Sequence, residues 1–242
     1  MLSRVADSLY WMSRYLERAE HTARLIDVNL TLMLDESGPA SERRWQRVLR
    51  ATGQPPAMAN DRDGSELAHS LACDLKNTSS LIWCIMAARE NARQVRQQIS
   101  SEQWEQLNVL YHHVTNEGSS VSREALPDLL QAIIAGVHLL QGVTDSTMPH
   151  GEGWQFIRLG RYLERAYSHA TLLDVYSSEF WNQPNRLTEG SDYLEGIGLL
   201  RSCTAFEAYC KVYTADISPE RILEFLLLNS EFPHTIRYSI RS

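Results

Sequence analysis

The 242-residue sequence predicts an all-α fold, a multi-helix bundle organised around an internal pseudo-twofold repeat of one long helix. Three observations carry that expectation. Apolar residues recur in alternating steps of three and four, the period of a helix with one packed face. No stretch alternates apolar and polar residues as a half-buried strand would. Residues 14–28, RYLERAEHTARLIDV, also return at 161–175 as RYLERAYSHATLLDV, with ten of fifteen positions identical. Chance would match about one position over such a length, so the chain carries a duplicated segment.

The elements follow in order. Val5, Leu9, Met12, Leu16, Ala19, Ala23, Ile26, Leu30 and Met33 form the seam of a helix from Ser3 to Leu34. Further helices are expected at 41–52, 64–75, 79–99, 101–116 and 122–146. Ser100 with Gln103 reads as a capping box that separates two of them with almost no linker. The second copy places Phe156, Leu159, Leu163, Ala166, Ala170 and Leu173 at the seam positions, with Phe180 extending the series. Small residues at both seam centres, Ala19, Ala23, Ala166 and Ala170, lead to the expectation that the two long helices are neighbours. A helix at 192–213 and one from Ser218-Pro219 to Leu228 complete the set, the latter with an N-cap and a first-turn proline. Turn-forming residues collect at 53–64, 117–122, 150–153 and 183–190. None of these loops is long enough for an interdomain linker, so residues 1–242 are expected to form a single helical domain.

Composition narrows the function classes. The net charge of −7 and pI near 5.6 argue against general binding to nucleic acid or anionic membranes. The longest unbroken apolar run, Leu81 to Ala88, is far short of the roughly 20 residues that cross a bilayer. Cys73, Cys84, Cys203 and Cys210 form no Cys-x-x-Cys pair, and the first residues are too charged for a secretory core. A cytoplasmic protein without disulfides is the expectation.

The repeat preserves charges as well as apolar letters. Arg14, Glu17, Arg18 and Asp27 recur as Arg161, Glu164, Arg165 and Asp174. On a helical wheel Arg14 and Arg18 lie opposite the Leu16/Ala23 seam, on a side shared with Trp11, Leu25 and Leu32. A helix apolar on two sides is central in a bundle, and its arginines need a carboxylate, a carbonyl or an anion. Two readings stand. One is a partly buried Arg–Glu network that fixes helix pairing. The other is a pocket in which Arg14, Glu17, Arg18, Arg161, Glu164 and Arg165 receive a carboxylate or phosphate. A further cluster, Arg89, Glu90, Asn91 and Arg93 with Arg96, is either a solvated face or part of the same polar centre.

Catalytic signatures are sparse. A di-metal carboxylate bundle needs two Glu-x-x-His units, whereas only Glu66-x-x-His69 occurs, so no metal or other cofactor is expected. His21 and His169 fall at non-equivalent offsets of the repeat and read as partly exposed helix residues. Cys203 and Cys210, two turns apart beside Phe206, read as core packing. No glycine-rich phosphate loop follows a strand.

Several blocks together resemble the bacterial alpha-E family. They are Leu2-Ser3-Arg4-Val5-Ala6-Asp7-Ser8-Leu9-Tyr10-Trp11, Arg14-Tyr15-Leu16-Glu17-Arg18-Ala19, Arg89-Glu90-Asn91-Ala92-Arg93, Ser101-Glu102-Gln103-Trp104 with Leu107-Asn108, the second block from Arg161 to Ala166, and Phe232-Pro233. The resemblance covers essentially the whole chain. It implies a helical domain whose genes stand beside those of a circularly permuted ATP-grasp protein and often a transglutaminase-like or proteasome-like peptidase. An ATP-grasp-type ligase is therefore the implied partner, in a peptide or amide ligation system. The chain departs from the resemblance in two places. Many members continue as further helix beyond the Phe-Pro block, so a chain cut short at Ser242 is implied, and His234-Thr235 stands where the family often has Arg-Ser. Three functional expectations result: a helical interaction subunit with a peptide, carboxylate or phosphate ligand, an amide-chemistry enzyme using the Arg/Glu cluster, and a purely structural homo-oligomer.

Overall fold

The computed structural model describes residues 1–33, 39–60, 62–118, 121–180, 189–214 and 216–242. The described residues form helices and no strand, as the periodicity predicts. The α-helices are α1 (Ser3–Met33), α2 (Pro39–Ala51), α3 (Gly64–Cys73), α4 (Leu81–Gln94), α5 (Ser101–Gly118), α6 (Leu126–Thr147), α7 (Glu152–Phe180), α8 (Glu189–Ser202), α9 (Phe206–Tyr213), α10 (Pro219–Leu228) and α11 (Ile236–Arg241). Short 3-10 turns occupy Pro56–Ala59 and Arg96–Gln98. Leu34 and the loop positions 119, 120 and 183–188 lie outside the described residues.

Local chemistry sets many of the boundaries. Ser100 and Gln103 form the expected reciprocal cap: Gln103 N–H donates to Ser100 Oγ at 3.0 Å and Ser100 N–H to Gln103 Oε1 at 2.9 Å. Asp63 and Glu66 do the same at the start of α3. Ser218 caps α10, whose first residue is Pro219. The helix expected over 192–213 is broken, because Thr204 adopts φ 56° and α9 starts afresh at Phe206. No glycine or proline marks that break, and a non-glycine residue in the left-handed region is held there by its surroundings. Cys203 consequently lies in a turn, fully buried, and does not share a helix with half-buried Cys210. The sequence gives no sign of α11, which begins at Thr235 with that hydroxyl accepting from Tyr238 N–H at 3.2 Å.

The residues group into two compact units, each drawn from two stretches of chain. The first comprises Met1–Asp27 and Arg62–Glu164. Within it α5 runs antiparallel to α6: Ser100 pairs with Thr147, Gln103 with Thr144, and Leu110 lies against Gly136. A Cβ at Gly136 would press into Leu110, so glycine permits that close approach. α1 crosses α7 equally closely, with Gly160 against the Tyr10 carbonyl and Ser13 Oγ donating to Ile157 O at 2.6 Å. α6 is long and apolar enough, by length and composition, to cross a membrane, yet Leu126, Leu129, Leu130, Ile133 and Val137 are buried within the unit.

The second unit comprises Val28–Asp61 and Arg165–Ser242. Trp45, Arg44, Tyr209 and Phe225 are the largest buried side chains among its described residues, and Tyr209 OH donates to Asp216 O at 2.6 Å. Gly196 of α8 lies against Ile217 and Ile222.

One pattern departs sharply from the sequence reading. In α1 the expected seam is largely buried, with Leu9, Met12, Ala19, Ala23 and Ile26 almost inaccessible. In α7 the equivalent positions Leu159 and Leu163 are 53% and 46% exposed, and Ala170 is exposed too. Of the expected seam Leu173 is buried, and with it α7 buries Ile157, Arg161, Glu164, Arg165, Ser168, His169, Leu172 and Tyr176, a largely polar stripe at helical spacing. The copies share one buried face, since Glu164, Ser168, His169, Leu172, Leu173 and Tyr176 match buried Glu17, His21, Thr22, Leu25, Ile26 and Asn29, but α1 also buries Met12 and Ala23, whose counterparts Leu159 and Ala170 are exposed.

Candidate functional site

Glu164 is the centre of the polar cluster in the first unit. It is 1% exposed, and a buried carboxylate needs charged or hydrogen-bonding partners. Arg14 Nε donates to its Oε2 at 2.5 Å and Arg18 Nε to its Oε1 at 2.6 Å. The arginines stand one turn apart on α1, so a single carboxylate on α7 reaches both. Each guanidinium also lies over aromatic rings, Arg14 over Trp11 at 4.8 Å and Tyr10 at 5.5 Å, Arg18 over Tyr15 at 5.6 Å. Arg14 Nη1 donates to Tyr10 OH at 3.0 Å. Tyr10, Trp11, Tyr15 and Trp83 continue as a row of rings about 5.5 Å apart. Burial opposes the charge of Arg18, but its hydrogen bond to Glu164 and the attraction of that carboxylate outweigh it and raise the guanidinium above its ordinary value.

Two arginines share one carboxylate, and they remain 17% and 26% exposed. The outer N–H groups of both guanidiniums thus keep access to solvent while their Nε edges are fixed. Cys84, fully buried, sits close enough to feel both Arg18 and Glu164; burial pushes its thiol up to about 12, so it is no nucleophile.

Glu17 and Arg161 occupy a neighbouring place in the same unit. Together with Ser13, Gln103, Gln141 and Thr144 they contribute the polar part of the lining of a cavity of about 30 Å³ whose remaining walls are apolar. That volume holds a water or two, not a substrate. Gln141 donates to Glu17 at 3.3 Å and Arg161 approaches Asp145 at 3.8 Å.

The remaining expected site residues have other tasks. Arg165 belongs to the second unit, where Nη1 donates to Pro233 O at 3.2 Å, and His169 Nδ1 lies 2.9 Å from His234 O. These α7 side chains tie down the Phe-Pro segment. His21 and His169, read as partly exposed, are both buried because α1 and α7 present polar faces inward. Glu90 and Arg93 form an exposed pair at 2.7 and 2.8 Å, and the hydrogen bond from Arg93 holds the Glu90 carboxyl down at about 2. Both stand on the solvated face, not in a buried polar centre. Asn91 donates to Ala87 O at 2.8 Å within its own helix. Arg89 reaches Trp104, Asn108 and Tyr111 of α5, and Arg96 lies over Trp104 as well.

A second two-arginine arrangement, not anticipated from the sequence, lies in the other unit. Arg44 Nε donates to Glu195 Oε1 at 2.7 Å and Arg47 Nη2 approaches Oε2 at 2.7 Å, with Arg47 over Tyr176 at 4.6 Å. Arg44 is 1% exposed. A signal was present: Arg44 shares the helical stripe of Trp45, Val48 and Leu49, where a surface charge does not belong. Among the described residues no three His, Cys, Asp or Glu side chains gather as metal ligands, and Glu66 is committed to its cap and to Arg123 at 3.0 Å.

An uncharacterised protein of Mycobacterium bovis and two of Mycobacterium tuberculosis are each 25% identical over 260 residues, covering 98% of this chain. The chain spans 28% of the length of those relatives. No solved structure matches. Residues 1–242 match the Alpha-E family, described as a predicted alpha-helical domain with a conserved ER motif, and the chain belongs to that family.

Proposed function

We propose that this domain is a helical accessory or interaction subunit of an ATP-grasp-linked peptide or amide ligation system, and that Arg14 and Arg18 hold an anionic group of what it carries. The observation behind this reading is the sharing of one buried carboxylate by two partly exposed arginines. The cluster keeps one net positive charge in a protein of net charge −7, and its guanidiniums are already immobilised by Glu164 and the adjoining rings. A carboxylate or phosphate arriving there meets forked donors whose conformational entropy is already spent. The exposed Leu159 and Leu163, one turn apart on α7, favour an interaction surface. Glu164 fits poorly as a general base, since both its oxygens are engaged by arginines and water has almost no access to it.

The test is reconstitution with an ATP-grasp ligase of the kind the family resemblance implies as partner. ADP release and ligated product are measured with and without the domain, and with Arg14→Met/Arg18→Met in its place. Association together with stimulation that the double variant loses supports the reading. Equal turnover without the domain, and no association by analytical ultracentrifugation, overturns it.

A further inference from the structure

Arg89 of α4 is held at its inner edge by an amide and on its flanks by two rings of α5. Its Nε donates to Asn108 Oδ1 at 2.7 Å, and Asn108 is itself oriented by donating to Trp104 O at 2.8 Å. The guanidinium lies 4.4 Å from the Tyr111 ring centroid and 5.3 Å from that of Trp104. Positions 104, 108 and 111 lie along one side of α5, and the outer two are about 10.5 Å apart along the axis. The two ring distances therefore place the guanidinium between the rings, with Asn108 beneath its Nε edge. Arg96 covers Trp104 as well, at 5.7 Å, while Arg96 Nη1 and Nη2 donate to Ile99 O and Ser101 Oγ at 3.4 Å. Ring and cation thus alternate: Tyr111, Arg89, Trp104, Arg96.

Among the described residues no carboxylate lies within ion-pair distance of Arg89 or Arg96. The nearest acid in sequence, Glu90, spends both oxygens on Arg93. Among the described residues the terminal amino groups of Arg89 meet no hydrogen-bond acceptor, although the residue is half-buried. Three positions of α5 fix one guanidinium by its inner edge and both flanks and leave its outer fork open.

We propose that Arg89, racked between Trp104 and Tyr111 and anchored by Asn108, is a second ligand site of this domain that takes a carboxylate. It shares no residue with the Arg14/Arg18/Glu164 cluster and does not depend on the function proposed for that cluster. Planarity selects the ligand. A carboxylate lies in the plane of a guanidinium and accepts two parallel N–H bonds within a slot walled by two rings. A phosphate directs oxygens above and below that plane, toward the aromatic faces, whose negative quadrupole repels them. The carboxylate can belong to a small dicarboxylic acid or to an acidic side chain of a protein partner.

The Trp104 indole N–H resonance, assigned from Trp104→Phe, reports on the site by heteronuclear NMR of the full chain. The probes are succinate, a polyglutamate peptide blocked at both ends, and inorganic phosphate. Succinate is expected to shift the signal saturably, with a midpoint on the order of 1 mM for so small a ligand. Saturation by succinate assigns a small-molecule site, and saturation by the peptide alone assigns a protein partner. Arg89→Lys keeps the charge and loses the fork, and Asn108→Ala releases the Nε edge; each is expected to weaken binding about ten-fold or more at an unchanged melting temperature. If Arg89→Lys proves unstable, Asn108→Ala alone decides. The proposal is overturned if neither carboxylate probe saturates, if phosphate binds as tightly as succinate, or if both variants bind like the parent.

Discussion

Glu164 receives Arg14 on one carboxylate oxygen and Arg18 on the other, at 2.5 and 2.6 Å, so one buried side chain of α7 fixes two arginines a turn apart on α1. Glu164→Gln keeps the shape and removes the charge that both arginines were built around. Breaking a buried pair costs about 3–5 kcal/mol, and solvent reaching the two guanidiniums brings the expected loss to about 2–3 kcal/mol. Urea denaturation measures it. Adding Arg18→Met to Glu164→Gln is expected to cost less than the sum of the single losses, because the second change removes a cation the first had orphaned.

The Arg44/Arg47/Glu195 arrangement in the other unit provides the comparison. Its arginines are nearly inaccessible, so water gives no relief when the carboxylate is lost. Glu195→Gln is expected to cost the full range of about 3–5 kcal/mol and to exceed Glu164→Gln when both are measured under the same conditions. A smaller loss at Glu195 would mean that burial is not what sets the cost.

The periodicity of the sequence accounts for the long helices because their apolar letters recur over many turns, and the caps at Ser100 and Ser218 are chemically specific. The break at Thr204 left no such trace, since neighbouring packing imposes a left-handed backbone on an ordinary residue, and the six residues of α11 are too few to show a period. The Arg14/Arg18/Glu164 cluster was visible because charges repeated in register. Arg44 hinted at burial by sharing the apolar stripe of its helix, but its pairing with Glu195 was not legible, because 151 positions separate them.

Arg165 and His169 hold the carbonyls of Pro233 and His234, which precede the Thr235 cap of α11. Arg165→Met combined with His169→Ala removes both ties without touching α11 itself. Amide exchange in residues 232–241 is expected to accelerate while α10 stays protected, since a six-residue helix depends on its anchoring. Unchanged exchange there would show that the α10 side of the segment suffices to hold it.

Cys84 gives the protein a defined alkaline weakness. Its thiol is raised from 9.0 to about 12, chiefly by burial, so between those values the unfolded chain has lost a proton that the folded one retains. The unfolded state binds fewer protons there, and stability falls as pH rises through that window. One such thiol contributes a slope of up to about 1.4 kcal/mol per pH unit. Cys84→Ala is expected to flatten the decline of stability between pH 9 and 10.5 relative to the parent, a difference that separates this thiol from the raised tyrosines Tyr209 and Tyr213.

The inverted face of α7 makes the last prediction. Hydrophobic spacing alone would bury Leu163 and expose Arg161 and Arg165, yet Leu163 is 46% exposed while both arginines are nearly inaccessible. The close crossing at Gly160 and the demands of Glu164 explain the choice. Once Gly160 meets the Tyr10 carbonyl, the positions one turn on must face inward, and their charges find partners there. Leu163→Ser is therefore expected to change stability by no more than about 0.5 kcal/mol, whereas Ile157→Ala, on the buried side of the same helix, is expected to cost about 2–5 kcal/mol. Equal losses at the two positions would restore the face that hydrophobic spacing predicts and take the Arg14–Glu164 contact with it.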